Sequence, residues 1–546
     1  MTSQEVVEGA AAGGDPFEEP DLVHALMRPW AYGADPSSPV ALRTTHASWV
    51  FLIGDEAWKV KRPVDFGFLD FRTVEARRRF CEDEVRLNRR FAPGVYLGVE
   101  PVRASPDGRA FGGEGPIVDW AVHMRRLPDR ASAAAMLSRG MLGPERLAAL
   151  AERLALFLRS TRETPAFGRP EALRRNVDEN FAQVAPFVGD LVEPATFDDV
   201  RRFQLDAFAQ RPDAFAARVA EARIREGHGD LRLEHVYFLP APDGIVAIDC
   251  VEFNERLRCG DVAGEAAFLA MELEAARRPD LAAGFLARFA EASDDFGLYG
   301  VVDFYLSYRA WVRGKVAAFV ASDPGPDAGL RAAKRDEARR QFALARSFSG
   351  APVDPPFLVV VGGVIGSGKS TLAAALGRQL AAPVISSDRV RKAAAGIAPT
   401  ARGDAGLYTP EAVERNYREM LRRARAVLES GRGAILDATF SSRRRREEAA
   451  ALARATGAAL VFIETRCADR AVLEARLAAR RARPSVSDAT DAVLAQLLSL
   501  HEPIGPDEPG THVVVDTASN PADARADALR QLALNGVISA AARRAS

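Results

Sequence analysis

Lysine is scarce in this chain. Six lysines, Lys59, Lys61, Lys315, Lys334, Lys369 and Lys392, stand among 73 Lys and Arg residues. A sequence that avoids lysine this strongly raises the expectation that each remaining one is chemically needed. Cysteine is scarce too: Cys81, Cys250, Cys259 and Cys467 are scattered, with no C-x-x-C spacing. That argues against a disulfide framework or a zinc site and favours free thiols in a reducing cytoplasm. No apolar run approaches the roughly 20 residues that span a bilayer, so no membrane partner is expected. The formal net charge of −1 provides no global field to gather nucleic acid or anionic lipid. The opening MTSQEVVEGAAAGGDPFEEPD lacks the apolar core of a signal peptide, and residues 1–21 read as a disordered leader. No repeat with a period of about 20–50 residues is visible.

What is present is an ordinary globular composition, 48% hydrophobic and 27% charged, over 546 residues. That length predicts about three or four lobes. The clearest joint is SFSGAPVDPP, Ser347 to Pro356, whose prolines cannot continue the charged helix before it. The expected organisation is therefore a domain over 22–325, a helix and proline-rich linker over 326–355, a second domain over 356–535 and a tail over 536–546. Just past the joint, the apolar strand FLVVV runs into G-x-x-x-x-G-K-S and then a helix pattern. This strand–loop–helix context predicts a phosphate-binding P-loop. Gly363, Val364, Ile365, Gly366, Ser367, Gly368, Lys369, Ser370 and Thr371 are its candidate nucleotide-binding residues. Glycine lets backbone N–H groups turn towards phosphate oxygens, Lys369 reaches the β/γ-phosphates, and the Ser370 hydroxyl can ligate Mg²⁺. Asp437 ends a later strand, GAILD, where a metal-side carboxylate is expected.

The order of segments after the P-loop resembles the P-loop kinases related to polynucleotide kinases, gluconate-type kinases and zeta-type toxins. The resemblance rests on GVIGSGKS, on Asp388 and Arg391 in SSDRVRK, on Asp437, and on the arginine-rich LEARLAARRARP. It implies that Asp388 takes the acceptor proton and Arg391 holds acceptor or phosphate. It also implies a mobile lid carrying Arg476 and Arg480. Asp388 can alternatively be read as a helix cap. The run Arg443 to Arg446 reads as a solvated helix face.

In the N-terminal half, HGDLRLEHVYF is followed by a turn, PAPDG, and a returning strand, IVAID. A loop, a hairpin and an aspartate ending a strand resemble the protein-kinase-like fold, and most of all its aminoglycoside-phosphotransferase group. That resemblance makes Asp230 the catalytic base and Asp249 the metal-binding aspartate. Upstream, Lys59 and Lys61 lie two apart on one strand and so share a face. Either could grip the α/β-phosphates, with Glu84 on the following helix as its ion-pair partner. Backbone groups around Ala121 to Met124 are expected to meet the adenine. Glu265 stands where the group more usually has aspartate. Arg232 and His235 depart from the group's H-G-D-L-H-x-x-N pattern, and His235, in place of a metal-binding asparagine, is a candidate metal ligand beside Asp249. Mg²⁺ prefers oxygen ligands.

The whole order resembles a bacterial fusion of an aminoglycoside-phosphotransferase-like domain with a P-loop kinase. It implies α/β and α+β domains: an N-terminal bilobal kinase-like fold, then a parallel sheet flanked by helices. It further implies a cytoplasmic, ATP- and Mg²⁺-dependent phosphotransferase with two nucleotide sites and a small-molecule hydroxyl acceptor. Two alternatives stay open. One is a nucleotide- or metabolite-sensing module that regulates the P-loop half. The other is a zeta-toxin-like sugar-nucleotide kinase.

Overall fold

The computed structural model describes residues 6–7, 20–45, 47–65, 69–106, 108–323, 325, 327–350, 355–398, 400–401, 403, 405–467, 469–481, 502–518 and 520–538. Their internal contacts group them into two units. The first takes the described parts of 1–143, 156–276 and 304–348; the second takes those of 144–155, 277–303 and 349–546. Among the described residues no helix is long and apolar enough to cross a membrane.

The first unit opens with an antiparallel sheet built from β1 (Val6–Val7), β2 (Val40–Thr44), β3 (Ser48–Ile53), β4 (Glu56–Lys61), β5 (Tyr96–Ser105), β6 (Gly108–Phe111) and β7 (Ile117–Arg125). Their order across the sheet is β1-β2-β3-β4-β7-β5-β6. Side chains alternate across the pleat. Trp49, Phe51 and Ile53 of β3, with Trp58 and Val60 of β4, pack on Leu22 and Leu26. The opposite face carries Leu52 and Ala57 against Cys81 and Val85 of the helix Val74–Asn88. That helix starts where the Thr73 hydroxyl accepts the Ala76 N–H. This sheet and helix form the N-terminal lobe. The remaining, largely helical lobe carries two short ladders: β8 (Ile224–Glu226) pairs with β11 (Cys259–Asp261), and β9 (Val236–Phe238) with β10 (Ile245–Ala247).

The second unit is a parallel sheet of β12 (Phe357–Gly362), β13 (Val384–Ser386), β14 (Ala434–Asp437), β15 (Ala459–Arg466) and β16 (Thr511–Asp516), ordered β13-β14-β12-β15-β16. FLVVV and AILD are almost wholly apolar because both faces of such a sheet are covered. β12 is central, so the loop at its carboxyl end opens where the strand order switches, the position at which open α/β sheets bind ligands. Residues 277–303 belong to this unit. Glu291, on the helix Pro279–Ser293, accepts the Val384 N–H of edge strand β13 at 2.7 Å. Asp294 and Asp303 receive the Arg423 and Arg432 guanidinium groups.

The expectation that Arg443 to Arg446 form a solvated face is corrected. Arg444 is exposed, but Arg446 is 1% exposed and forks onto Glu508 at 2.6 and 2.8 Å. Arg445 lies over the Tyr417 ring at 4.6 Å. Four consecutive residues sweep a full helical turn, so they cannot share one face.

Candidate functional site

In the first unit β4 sets two lysines on the face that meets the helix Val74–Asn88. Glu84 of that helix is fully buried and divides its carboxylate between them: Oε1 accepts from Lys59 Nζ at 2.8 Å and Oε2 from Lys61 Nζ at 2.7 Å. The lysines differ in what else they touch. Lys59 Nζ also donates to Asp249 Oδ1 at 2.6 Å. Lys61 is fully buried, pairs with Glu252, and lies 4.9 Å from the Phe71 ring centre. Lys59, not Lys61, lines a cleft of about 1080 Å³ that also holds Asp230, His235 and Asp249.

Burial would raise the Asp249 and Glu84 carboxyls, but Lys59 holds both below their ordinary range. Asp249 follows β10 with φ +66°, a left-handed conformation uncommon outside glycine. Its N–H donates to the Tyr96 hydroxyl at 3.1 Å, and the next N–H, of Cys250, donates to Asn88 Oδ1 at 2.9 Å.

The loop before β9 is braced from below. Glu265 Oε1 accepts the Gly229 N–H at 2.9 Å. Gly229 has φ +84°, and a Cβ there would stand 2.8 Å from the Leu257 carbonyl oxygen, so only glycine fits. His228 Nε2 lies 2.9 Å from the Ile248 carbonyl oxygen, and its Nδ1 is buried without a partner. Arg232, in place of the histidine, donates to Glu272 at 2.9 Å. His235 Nδ1 lies 2.8 Å from the Asp230 carbonyl oxygen, and its Nε2 is 3.8 Å from Asp249 Oδ2. Burial would raise Asp230, yet His235 leads the groups that hold it low. A carboxylate set of Asp230 and Asp249 suits a hard cation; the His235 nitrogen does not.

The stretch expected around an adenine lies at the end of β7. Ala121 to His123 lie inside β7, paired with β4 on one side and β5 on the other, so their backbone groups are spent. Met124 of that stretch lines the cleft, as do Arg125, Arg126 and Leu127. Sequence reasoning also passed over Glu252, Tyr96 and Asn88. A second acid three residues after Asp249, in IDCVEF, was the available signal for Glu252.

In the second unit Gly363, Gly366 and Gly368 have φ of +141°, +83° and +88° and lead into the helix Lys369–Gln379. A Cβ on Gly363 would lie 2.3 Å from Thr465 Oγ1, so the turn requires glycine. Thr465 and Thr517 brace the loop: Thr465 Oγ1 is 2.6 Å from Ser367 Oγ, and Thr517 donates to the Ser367 carbonyl. Val364, Ile365 and Thr371 complete the loop and the first helical turn. Ser370 Oγ donates to Asp437 Oδ1 at 3.1 Å. Asp437 is 4% exposed, and burial pushes its carboxyl up against the pull of Lys369. A phosphate cradle beside a hydroxyl–carboxylate pair fits a Mg²⁺–nucleotide.

Asp388 stands second in the helix Ser387–Ala394, which has no side-chain cap bond, and Arg391 Nη1 donates to its Oδ1 at 2.6 Å. Arg391 also lies over the Tyr408 ring at 4.7 Å. Arg476 reaches the Gly366 carbonyl at 3.4 Å and the Thr517 carbonyl. The side chain of Arg480 lies outside the described residues, as does Arg483.

These two sites define a chain of two parts: a bilobal domain with a Lys–Glu–Asp cluster in its cleft, and a P-loop domain on a parallel sheet. Residues 358–504 match a family model described as an AAA domain. Over 469 residues the chain is 36% identical to the uncharacterized protein Rv2004c of Mycobacterium tuberculosis, across 84% of this chain and 89% of that one. A putative kinase of Chloroflexus aurantiacus is 21% identical, covering 34% of this chain and 99% of its own, with a TM-score of 0.28. A putative aminoglycoside phosphotransferase of Ralstonia eutropha is 11% identical, covering 57% and 93%, with a TM-score of 0.36. The chain belongs to the family of the mycobacterial protein.

Proposed function

We propose that the protein is an ATP- and Mg²⁺-dependent phosphotransferase with two nucleotide sites, each delivering a γ-phosphoryl group to a hydroxyl of a small molecule. The observation that carries the reading is Lys59, which bridges Glu84 and Asp249 on the wall of a cleft that also holds Asp230. In the first unit Lys59 grips nucleotide phosphate, while Lys61 helps hold the Glu84 carboxyl low and pairs with Glu252, which burial pushes up. Asp230 orients the acceptor hydroxyl and takes its proton as the bond to phosphorus forms. In the second unit the loop amides and Lys369 hold the phosphates. Asp388 serves as base, and Arg391 and Arg476 stand by the transferring group, with Arg480 as a further lid cation. Mg²⁺, when bound, supplies charge neutralisation on the phosphate oxygens; Asp249 in one unit and Ser370 with Asp437 in the other would hold it.

The deciding experiment is a metabolite screen for acceptor-stimulated ADP release with wild type, Lys369→Ala and Asp230→Ala. Two acceptor profiles, one lost with each variant, are expected. A second reading is favoured by His235, which replaces a metal-binding asparagine and is tied to the Asp230 carbonyl. In it the first unit binds nucleotide without chemistry and regulates the second. Under that reading Asp230→Ala changes no acceptor profile.

A further inference from the structure

The kinase reading leaves the acceptor unnamed, and the first unit's cleft holds a cation that neither nucleotide nor metal accounts for. Lys315 lies on the helix Val302–Ser322 and lines the same cavity as Asp230. Its Nζ donates to Asn180 Oδ1 at 2.6 Å and to Gln183 Oε1 at 2.7 Å, both neutral amides. The nearby carboxylate, Glu179, is engaged in a fork with Arg256 at 2.7 and 2.8 Å. Asn180 is 5% exposed, and its Nδ2 has no hydrogen-bond partner. A buried amide with an unspent N–H group beside a lysine whose nearby carboxylate is shared with Arg256 is costly unless something fills the seat. Burial pushes the Lys315 ammonium down to about 8, so the charge is still held at neutral pH.

The same helix reaches the loop that carries Asp230. Arg309, on the same helix, donates to the Gly229 carbonyl at 3.2 Å, next to Asp230. Lys315 is six residues further on, about 9 Å along the axis.

Resting on the kinase reading, we infer that the acceptor of the first unit carries an anionic group, a carboxylate or a phosphate, seated on Lys315 and the Asn180 amide in the same cavity as Asp230. The class is a compact polyhydroxylated acid or sugar phosphate. An amino sugar or polyamine would bring like charge to Lys315.

The scarcity of lysine makes the test direct. Reductive methylation of the full chain, mapped by peptide mass spectrometry, reads Lys315 apart from the other five lysines. The probes are gluconate, glucose 6-phosphate and glucose, at about pH 8, where Lys315 is half ionised. Gluconate or glucose 6-phosphate at a few times its Kd should slow Lys315 labelling about fivefold. Glucose should not, and whichever anion protects better identifies the carboxylate or phosphate source. The protection should weaken as pH rises through about 8. Equal labelling with glucose and with both anions would overturn the inference. Calorimetry of the Lys369→Ala chain with a non-hydrolysable ATP analogue tests the kinase reading separately. Absence of nucleotide binding there would remove that reading and the acceptor assignment with it.

Discussion

Lys59 cannot serve Asp249 and a nucleotide phosphate equally, and this competition is measurable. The pair is 2.6 Å apart, with side chains 14% and 34% exposed. Exposed ion pairs contribute about 0–1 kcal/mol, and breaking a buried one costs about 3–5 kcal/mol. A half-buried pair that leaves Glu84 still on the lysine belongs near the lower figure, about 1–2 kcal/mol. Asp249→Asn keeps the shape and removes the charge, so Lys59 is freed for phosphate. ATP should then bind about 5- to 30-fold more tightly without magnesium. The gain from adding Mg²⁺ should shrink, because its carboxylate ligand is gone. Calorimetry on the full chain carrying Lys369→Ala, with chelator and then with Mg²⁺, reads the first unit's site alone. Weaker or unchanged magnesium-free binding, or an intact response to Mg²⁺, would refute the exchange and the role given to Lys59.

Asp388→Asn should lower acceptor-dependent transfer by the second unit about 10²- to 10⁴-fold while ATP affinity holds; loss of nucleotide binding alone would contradict the base assignment. Arg446→Met leaves Glu508, 2% exposed, without its cation. Urea unfolding should show a loss of about 3–5 kcal/mol, and Glu508→Gln in the same chain should recover part of it; an unmoved midpoint would count against this. His228 is buried and neutral, with burial pushing its imidazole down to about 4. Its lowered folded-state pKa makes stability complete above about 6.5 and lost as pH falls towards about 4, by up to about 3 kcal/mol. In unfolding curves His228→Gln should flatten that acid limb, and an identical limb would show that His228 is not its source.

The P-loop was legible because strand, glycine turn and helix are all local. The kinase-like hairpin was legible for the same reason, and the two-residue spacing of Lys59 and Lys61 correctly placed both on one face. Which lysine meets the cleft was not legible, since Lys61 is sealed by Phe71 and Glu252, the latter distant in sequence. That Ala121 to His123 lie inside β7, paired on both edges, was not legible either, because its partner strands are set by tertiary pairing. The same applies to residues 277–303. Their helix pattern is plain, but nothing in it says that Glu291 will meet the edge of the parallel sheet.

The left-handed turn at Asp249 ties chemistry to mechanics. Such a conformation costs about 1–2 kcal/mol for an L-residue. It is held by acceptors from the other lobe, Tyr96 on β5 and Asn88 on the helix Val74–Asn88, together with Lys59 on β4. All three withdraw together if the lobes part. Asp249 would then relax and its carboxylate would turn away, so opening and disarming become one event. On the proposed phosphotransferase reading, a cleft wide enough to release product would at that moment lack its aligned metal-side carboxylate.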